Sequence, residues 1–325
     1  MTKERKVSRN IFYVILFLIG FAGIIYLSSA TPNAPKEKTP FTQSFYNESE
    51  IVKKFPTVAV TTFLIALTSI ILLSVACMEK ISGRSPIPQF QRSEITWNAL
   101  AVLKSIPVIL IVYISVIFIV TIVSINTLSS TNRTITTLVI DGSWKICVCI
   151  WLFGMLQHEY KARLKNMGIR LKNTGKAAFY GFIGYVAILV LFITSAVLWN
   201  MLGERLHVEK EENPVMLFLF EEKSRFIILA IYIFTVVITP LVEEFYFRVV
   251  VFSGLRKSFG FWGGAIISAA FFSSVHPFYS MGPIFVLGLY LAYIFERTHN
   301  YAAPVFVHAL HNGLVLSFSL LLYNN

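Results

Sequence analysis

An all-α polytopic membrane protein is the fold class this sequence predicts, on three observations. The mean hydropathy is +0.69. Of the residues, 56% are apolar and only 14% are charged, where a soluble domain carries about 25% charged residues. The apolar residues also fall into runs of membrane-spanning length, separated by short polar and often basic segments. At about 20 residues per span plus loops the chain has room for at most about ten helices, and the runs predict about nine transmembrane helices. The net charge of +11 would suit a nucleic-acid partner if it were gathered on one domain, but the basic residues lie in short loops between spans. There they set topology, so the expected partner is the lipid bilayer and no nucleic acid. Cys77, Cys147 and Cys149 all sit in apolar runs and imply no disulfide framework.

Taken in order, Lys3, Arg5, Lys6 and Arg9 precede the apolar run Ile11 to Tyr26. This reads as an uncleaved first helix that resembles a signal peptide at its start, and it sends the polar segment Thr31 to Lys54 outside. Further spans are expected over Thr57 to Met78, Ser105 to Asn126, Leu138 to Gln157 and Ala177 to Leu202, with the Ser/Thr-rich segment Thr127 to Thr137 outside. Asn47-Glu-Ser49 and Asn132-Arg-Thr134 fit the glycosylation pattern, which short sequences match by chance. Asp141 and Lys145 are four apart and read as a structural ion pair near a helix end. Between His158 and Lys176, six Lys or Arg residues face the single acid Glu159, which places this loop in the cytoplasm. The outside segment after the fifth span is acidic, with Glu204, Glu209, Glu211, Glu212, Glu221 and Glu222.

The last hundred residues have a different texture. Residues 1–225 form N-terminal transmembrane helices without a recognised motif, and residues 226–325 form a second, polar-studded unit. A long helix from Phe226 to Lys257 contains Glu243, Glu244 and Arg248, Ser258-Phe-Gly260 makes a turn, and a span from Trp262 ends at His276-Pro277. A span over Gly282 to Phe295 and a last one from Ala302, carrying His308, His311 and Asn312, complete the chain. A charge near the bilayer centre costs at least ~2.5–3.5 kcal/mol. Glu244 and Arg248 share a helical face and can pair, whereas Glu243 is turned about 100° from Glu244 and is left free. Glu243 and His276 each lie fourteen residues from the turn, by way of Lys257 and Trp262 respectively. At ~1.5 Å per residue they are level, and His308 and Asn312 reach a similar depth on one face. His311 is off that face and reads equally as a supporting group or a structural one. Carboxylates kept at membrane depth imply a buried partner, a water-filled cavity or a job in chemistry; in a water-filled cavity a carboxylate can act as general base, and His and Asn donors can stabilise an oxyanion.

Glu243-Glu244-x-x-x-Arg248, Phe272-x-x-x-His276 and His308-x-x-x-Asn312, in this order on successive membrane helices, resemble the three motifs of the CPBP (Abi) family. That family holds CAAX prenyl endopeptidases and bacteriocin-processing or immunity proteins. The resemblance covers Ile227 to Leu321 and departs at Val249, where many members have Gly. It implies an intramembrane endopeptidase of the glutamate-dependent, CAAX protease-like type. Glu243 would activate a water, His276 would help to position it, and His308 with Asn312 would stabilise the oxyanion, with Glu244 and Arg248 completing the set. It implies a peptide or membrane-protein substrate and an integral, multi-pass membrane location, the plasma (inner) membrane if the host is bacterial. No cofactor is expected. A zinc-dependent variant using the same Glu and His residues stays open, as does a non-catalytic immunity or scaffold protein that binds a peptide in the same cavity. A transporter is disfavoured because the sequence shows no repeated halves.

Overall fold

A computed structural model describes residues 56–127, 130–210 and 224–323, together with 215, 216, 219 and 222. Four helices come first: α1 (Pro56–Ile81), α2 (Ala99–Thr127), α3 (Ser130–Tyr160) and α4 (Thr174–Arg205). A composite rod follows, made of α5 (Arg225–Ile233), a π-helical turn (Phe234–Ile238), α6 (Thr239–Glu244), a second π-helical stretch (Phe245–Phe252) and α7 (Ser253–Ser274). The helices α8 (Phe278–Thr298) and α9 (Ala302–Tyr323) end the chain, and the described residues contain no strand. Seven of the described helical stretches are long and apolar enough to cross a membrane, so the chain is an all-α, multi-pass membrane protein.

One of these seven, Arg225–Ser274, carries both of the spans expected around Ser258-Phe-Gly260. Gly260 breaks it with φ 74° and ψ −179°, a conformation that only glycine adopts cheaply. The two arms then fold together closely. A Cβ on Gly264 would lie 2.7 Å from the Arg256 backbone nitrogen. The first expected helix, the Asn47 pattern and the acidic residues Glu211, Glu212 and Glu221 lie outside the described residues. The segment Thr127 to Thr137, expected outside, is helical from Ser130, where α3 begins. A helix pairs its own backbone groups, which favours continuing it to the edge of the bilayer whatever the side chains.

The basic segments collect at one end of the bundle. Arg170 donates to the Gln91 carbonyl at 2.7 Å and to Ser93 Oγ at 2.6 Å, and Asn166 Nδ2 donates to the Glu94 carbonyl at 2.8 Å. The Tyr301 amide donates to the Gly168 carbonyl at 2.9 Å, and Arg297 Nε to the Ile87 carbonyl at 2.9 Å. At the opposite end Tyr279 donates to the Val208 carbonyl at 2.8 Å and Trp199 to that of Phe278 at 2.7 Å. At the basic end, His299 caps α8 in the left-handed region with φ 41° and is buried. Burial, and then the charges of Arg170, Arg92 and Arg256, push its pKa down to about 4.

The two π stretches need partners for carbonyls whose backbone donors are displaced or missing. The Thr239 amide reaches back five residues to the Phe234 carbonyl. The same register would pair the next amide, that of residue 240, with the Thr235 carbonyl. Residue 240 is proline and has no N–H. Side chains fill such gaps: Asn312 Nδ2 donates to the Thr235 carbonyl at 2.9 Å, Ser268 to that of Phe247 at 3.0 Å and Ser253 to that of Arg248 at 3.0 Å. Trp97, fully buried, donates from Nε1 to the Val249 and Val250 carbonyls at 3.1 and 3.3 Å.

Two outcomes follow for stability. Trp97→Phe removes a donor that water cannot replace, and should cost about 1–3 kcal/mol, read as a lowered Tm of the purified protein. For His299 the folded pKa lies below the ordinary 6.5, so the folded state keeps the ring neutral while the unfolded state takes up a proton. Its share of stability is present above about pH 6.5 and is lost as pH falls towards about 4. His299→Asn, which tolerates the left-handed backbone, should flatten Tm against pH across that window.

Candidate active site

Glu244 closes α6, and neither its side chain nor that of Arg248 is exposed at all. Four residues apart, they meet as the helix geometry requires, with Arg248 Nε donating to Glu244 Oε2 at 2.8 Å. The same guanidinium approaches Ser268 Oγ at 3.4 Å and lies 5.0 Å from the centre of the Phe272 ring. The second carboxylate oxygen, Oε1, is 2.8 Å from His308 Nδ1. An arginine, a carboxylate and an imidazole thus pair at full burial, each Glu244 oxygen with its own partner, while Arg248 Nη2 is left without one.

Glu243, one residue earlier and about 100° round the helix, keeps 21% of its side chain exposed. Its Oε2 lies 3.9 Å from His308 Nε2. One imidazole therefore stands between two carboxylates. Glu244, paired with Arg248, can only accept, so the hydrogen-bond pattern assigns a proton to Nδ1 and leaves Nε2 as the nitrogen that faces Glu243.

His276 falls in the turn between α7 and α8, just past the last helical residue, Ser274. Pro277 disfavours helix at the preceding residue, which ends α7 there. The ring's Nδ1 is 2.8 Å from the Phe272 carbonyl, an acceptor, which assigns the proton to Nδ1 and leaves Nε2 bare. Phe272 is the aromatic hub of the site, its ring 5.1 Å from that of His276 and 5.6 Å from that of His308. The charges of Glu243, His308 and Lys145 all act on His276.

The remaining sequence-predicted residues divide. Asn312 shares a face with His308, yet its hydrogen bond goes to the Thr235 carbonyl. His311 turns the other way, with Nδ1 3.0 Å from Tyr185 Oη and its ring 4.9 Å from that of Phe192. Asp141 and Lys145 pair at 2.6 Å as expected, and Lys145 Nζ also lies 5.2 Å from the Phe234 ring, beside the first π turn. Ser268, Thr235, Tyr185 and Trp97 belong to the surroundings of the site and were not singled out by sequence. Phe272 and Pro240 carried a local signal, as the motif partner of His276 and as the source of an orphaned carbonyl. Tyr185 and Trp97 carried none, since their partners lie 126 and 152 residues away. Tyr301 also reaches in, donating its hydroxyl to the Leu241 carbonyl. Among the described residues, no three His, Cys, Asp or Glu side chains form a group that could hold a metal ion.

Comparison with known proteins is consistent with this geometry. Residues 225–314 match the family described as type II CAAX prenyl endopeptidase Rce1-like. The membrane-embedded CAAX protease MroQ of Staphylococcus aureus (strain USA300) is 26% identical over 151 residues, which cover 44% of this chain and 58% of that relative. The matched length is thus less than two thirds of that protein. No solved structure is significantly similar. The matched residues run from the start of α5 into α9 and include every motif side chain from Glu243 to Asn312, so the C-terminal part of this membrane protein is similar to the CAAX prenyl endopeptidases over the stretch that carries the candidate site.

Proposed function

We propose that the chain is an intramembrane endopeptidase that hydrolyses a peptide bond of a peptide or membrane-protein substrate with a water activated by Glu243. The observation that carries this reading is the pair of carboxylates on the two nitrogens of His308, one sealed against Arg248 and the other part-exposed. A base must reach water, and of the two carboxylates Glu243 is the one with an exposed part. It takes a proton from the water as the oxygen attacks the carbonyl carbon, and the C=O becomes an oxyanion. Collapse of the tetrahedral intermediate breaks the C–N bond, and Glu243 returns the proton to the leaving nitrogen.

The neighbours have derived roles in this scheme. His276, with Nδ1–H tied to the Phe272 carbonyl, offers Nε2 to orient the water. His308, anchored through Nδ1 on Glu244, presents Nε2 to the reacting centre and, with a second proton taken up from solvent, donates from Nε2 to the oxyanion; such a donor contributes ~3–4 kcal/mol to the transition state. Glu244 and Arg248 hold that ring rather than react. Asn312 has one N–H committed to Thr235, so its part is to fix the height of α9 against the rod, with its second N–H left for the oxyanion. The CAAX specificity in the relative's name extends to this chain as a peptide substrate presented at the membrane, and the plasma membrane of a bacterium is its proposed location. The basic end faces the cytoplasm on the charge rule. No metal takes part in this scheme.

Membrane peptide profiles of cells with and without the protein test the reading, with Glu243→Gln as control. Glu243→Gln should abolish the difference, a loss of at least about a hundredfold, with Tm unchanged. Glu244→Gln should instead cost about 3–5 kcal/mol by stranding the Arg248 charge, read as lowered abundance and Tm. The reverse assignment holds if Glu243→Gln stays active and Glu244→Gln is folded but inert. Cleavage by the purified protein should also survive a strong zinc chelator. Loss on chelation with recovery on adding zinc would replace this scheme with a metal-dependent one.

A further inference from the structure

At the basic end, away from the carboxylates of the site, a cavity of about 370 Å³ is lined by Arg92, Ser93, Glu94, Ile95, Arg256 and Lys257. Its volume is within the ~300–1,000 Å³ of small-ligand sites. Three cations converge on it, and one carboxylate organises two of them. Glu296 accepts from Arg256 Nε at 2.6 Å and Nη2 at 2.8 Å, and from Arg92 Nη1 at 2.9 Å. Lys257 Nζ is held by the Ile95 and Thr96 carbonyls at 2.7 and 3.2 Å. Against these three cations stand Glu296 and the rim carboxylate Glu94, so the cavity keeps an excess of positive charge. The depressed pKa of the neighbouring His299, caused in part by Arg92 and Arg256, reports the same field.

The surroundings indicate what this charge receives. Phe259 and Trp262, directly after Lys257, are 59% and 70% exposed. Exposed aromatic rings two and five residues past Lys257, at the end of a membrane helix, are the side chains that sit at the headgroup level of a bilayer. We propose that this cavity binds the phosphate of an anionic phospholipid, with Arg92, Arg256 and Lys257 on the headgroup and Phe259 and Trp262 beside the acyl chains. Such a lipid ties together the α1–α2 connection, which supplies Arg92, the hinge at Gly260 and the end of α8, which supplies Glu296. It stands apart from the proposed protease reaction and needs none of its residues.

Native mass spectrometry of the full chain in detergent tests it, with equimolar phosphatidylglycerol and phosphatidylcholine of identical acyl chains and a separate arm of inorganic phosphate. The wild type should retain phosphatidylglycerol in preference. Lys257→Gln should cut that preference about fivefold, the effect of one cation at a membrane surface. Arg92→Gln serves as the second variant if Lys257→Gln does not fold, and Lys172→Gln, at the same end but outside the cavity, should leave the preference intact. Equal retention of the two lipids by the wild type overturns the site. So does a loss as large in Lys172→Gln as in Lys257→Gln. Retention of inorganic phosphate that displaces the lipid identifies a soluble phosphate as the occupant and overturns the lipid assignment.

Discussion

The structure depends on keeping the Glu244 charge inside a membrane protein. A fully buried carboxylate persists only when every oxygen has a partner, and here Arg248 and His308 take one oxygen each. Arg248 comes from the same rod and costs the fold nothing in long-range placement. His308 is on α9, 64 residues later, so the pair also dictates where the last helix must dock. Phe272 fills the space between Arg248, His276 and His308, which fixes the α7 arm as well. Satisfying one charge therefore brings together the three elements that carry the motifs, and Glu243, with a different outlook on the same imidazole, is positioned as a by-product.

The π-helical stretches explain how a rod this irregular survives at membrane depth. Each widened turn displaces carbonyls from their usual donors, and in hydrocarbon an orphaned carbonyl costs several kcal/mol. The donors come from other elements: Ser268 from the far arm of the hairpin, Asn312 from α9 and Trp97 from the segment before α2. The last of these ties the second π stretch, on which Arg248 rides, to the segment between α1 and α2.

What was legible in the sequence was whatever rests on local geometry. The i,i+4 pairing of Glu244 with Arg248, the turn at Gly260 and the apolar runs all follow from periods of 3.6 residues and the conformational freedom of glycine, and the structure has each of them. The shared depth of Glu243 and His308 was also inferable from residue counts, but the bond between Glu244 and His308 was not. Long-range caps were not. Trp97 and Tyr185 look like any aromatic residue in an apolar chain, and nothing local marks the carbonyl or imidazole that each will meet. Asn312 shows the intermediate case: its face was correct by spacing, but the demand of Pro240 for a substitute donor was needed to see where its amide points.

The arrangement of the two glutamates rests on a simple constraint. Consecutive residues on a helix diverge by about 100°, so adjacent carboxylates cannot share a partner from the same side, and a third group must lie between their directions for both to engage it. An imidazole meets this requirement because its two nitrogens point apart. With Nδ1 spent on the sealed carboxylate, the ring cannot swing without breaking a buried, charge-assisted hydrogen bond, and Nε2 is held towards the exposed one. A glutamine at residue 244 would keep the shape but lose the charge that balances Arg248, and an aspartate at residue 243 would shorten the reach towards an imidazole already 3.9 Å away. The double glutamate is thus a single device in which one carboxylate sets the geometry and its neighbour keeps part of its side chain exposed.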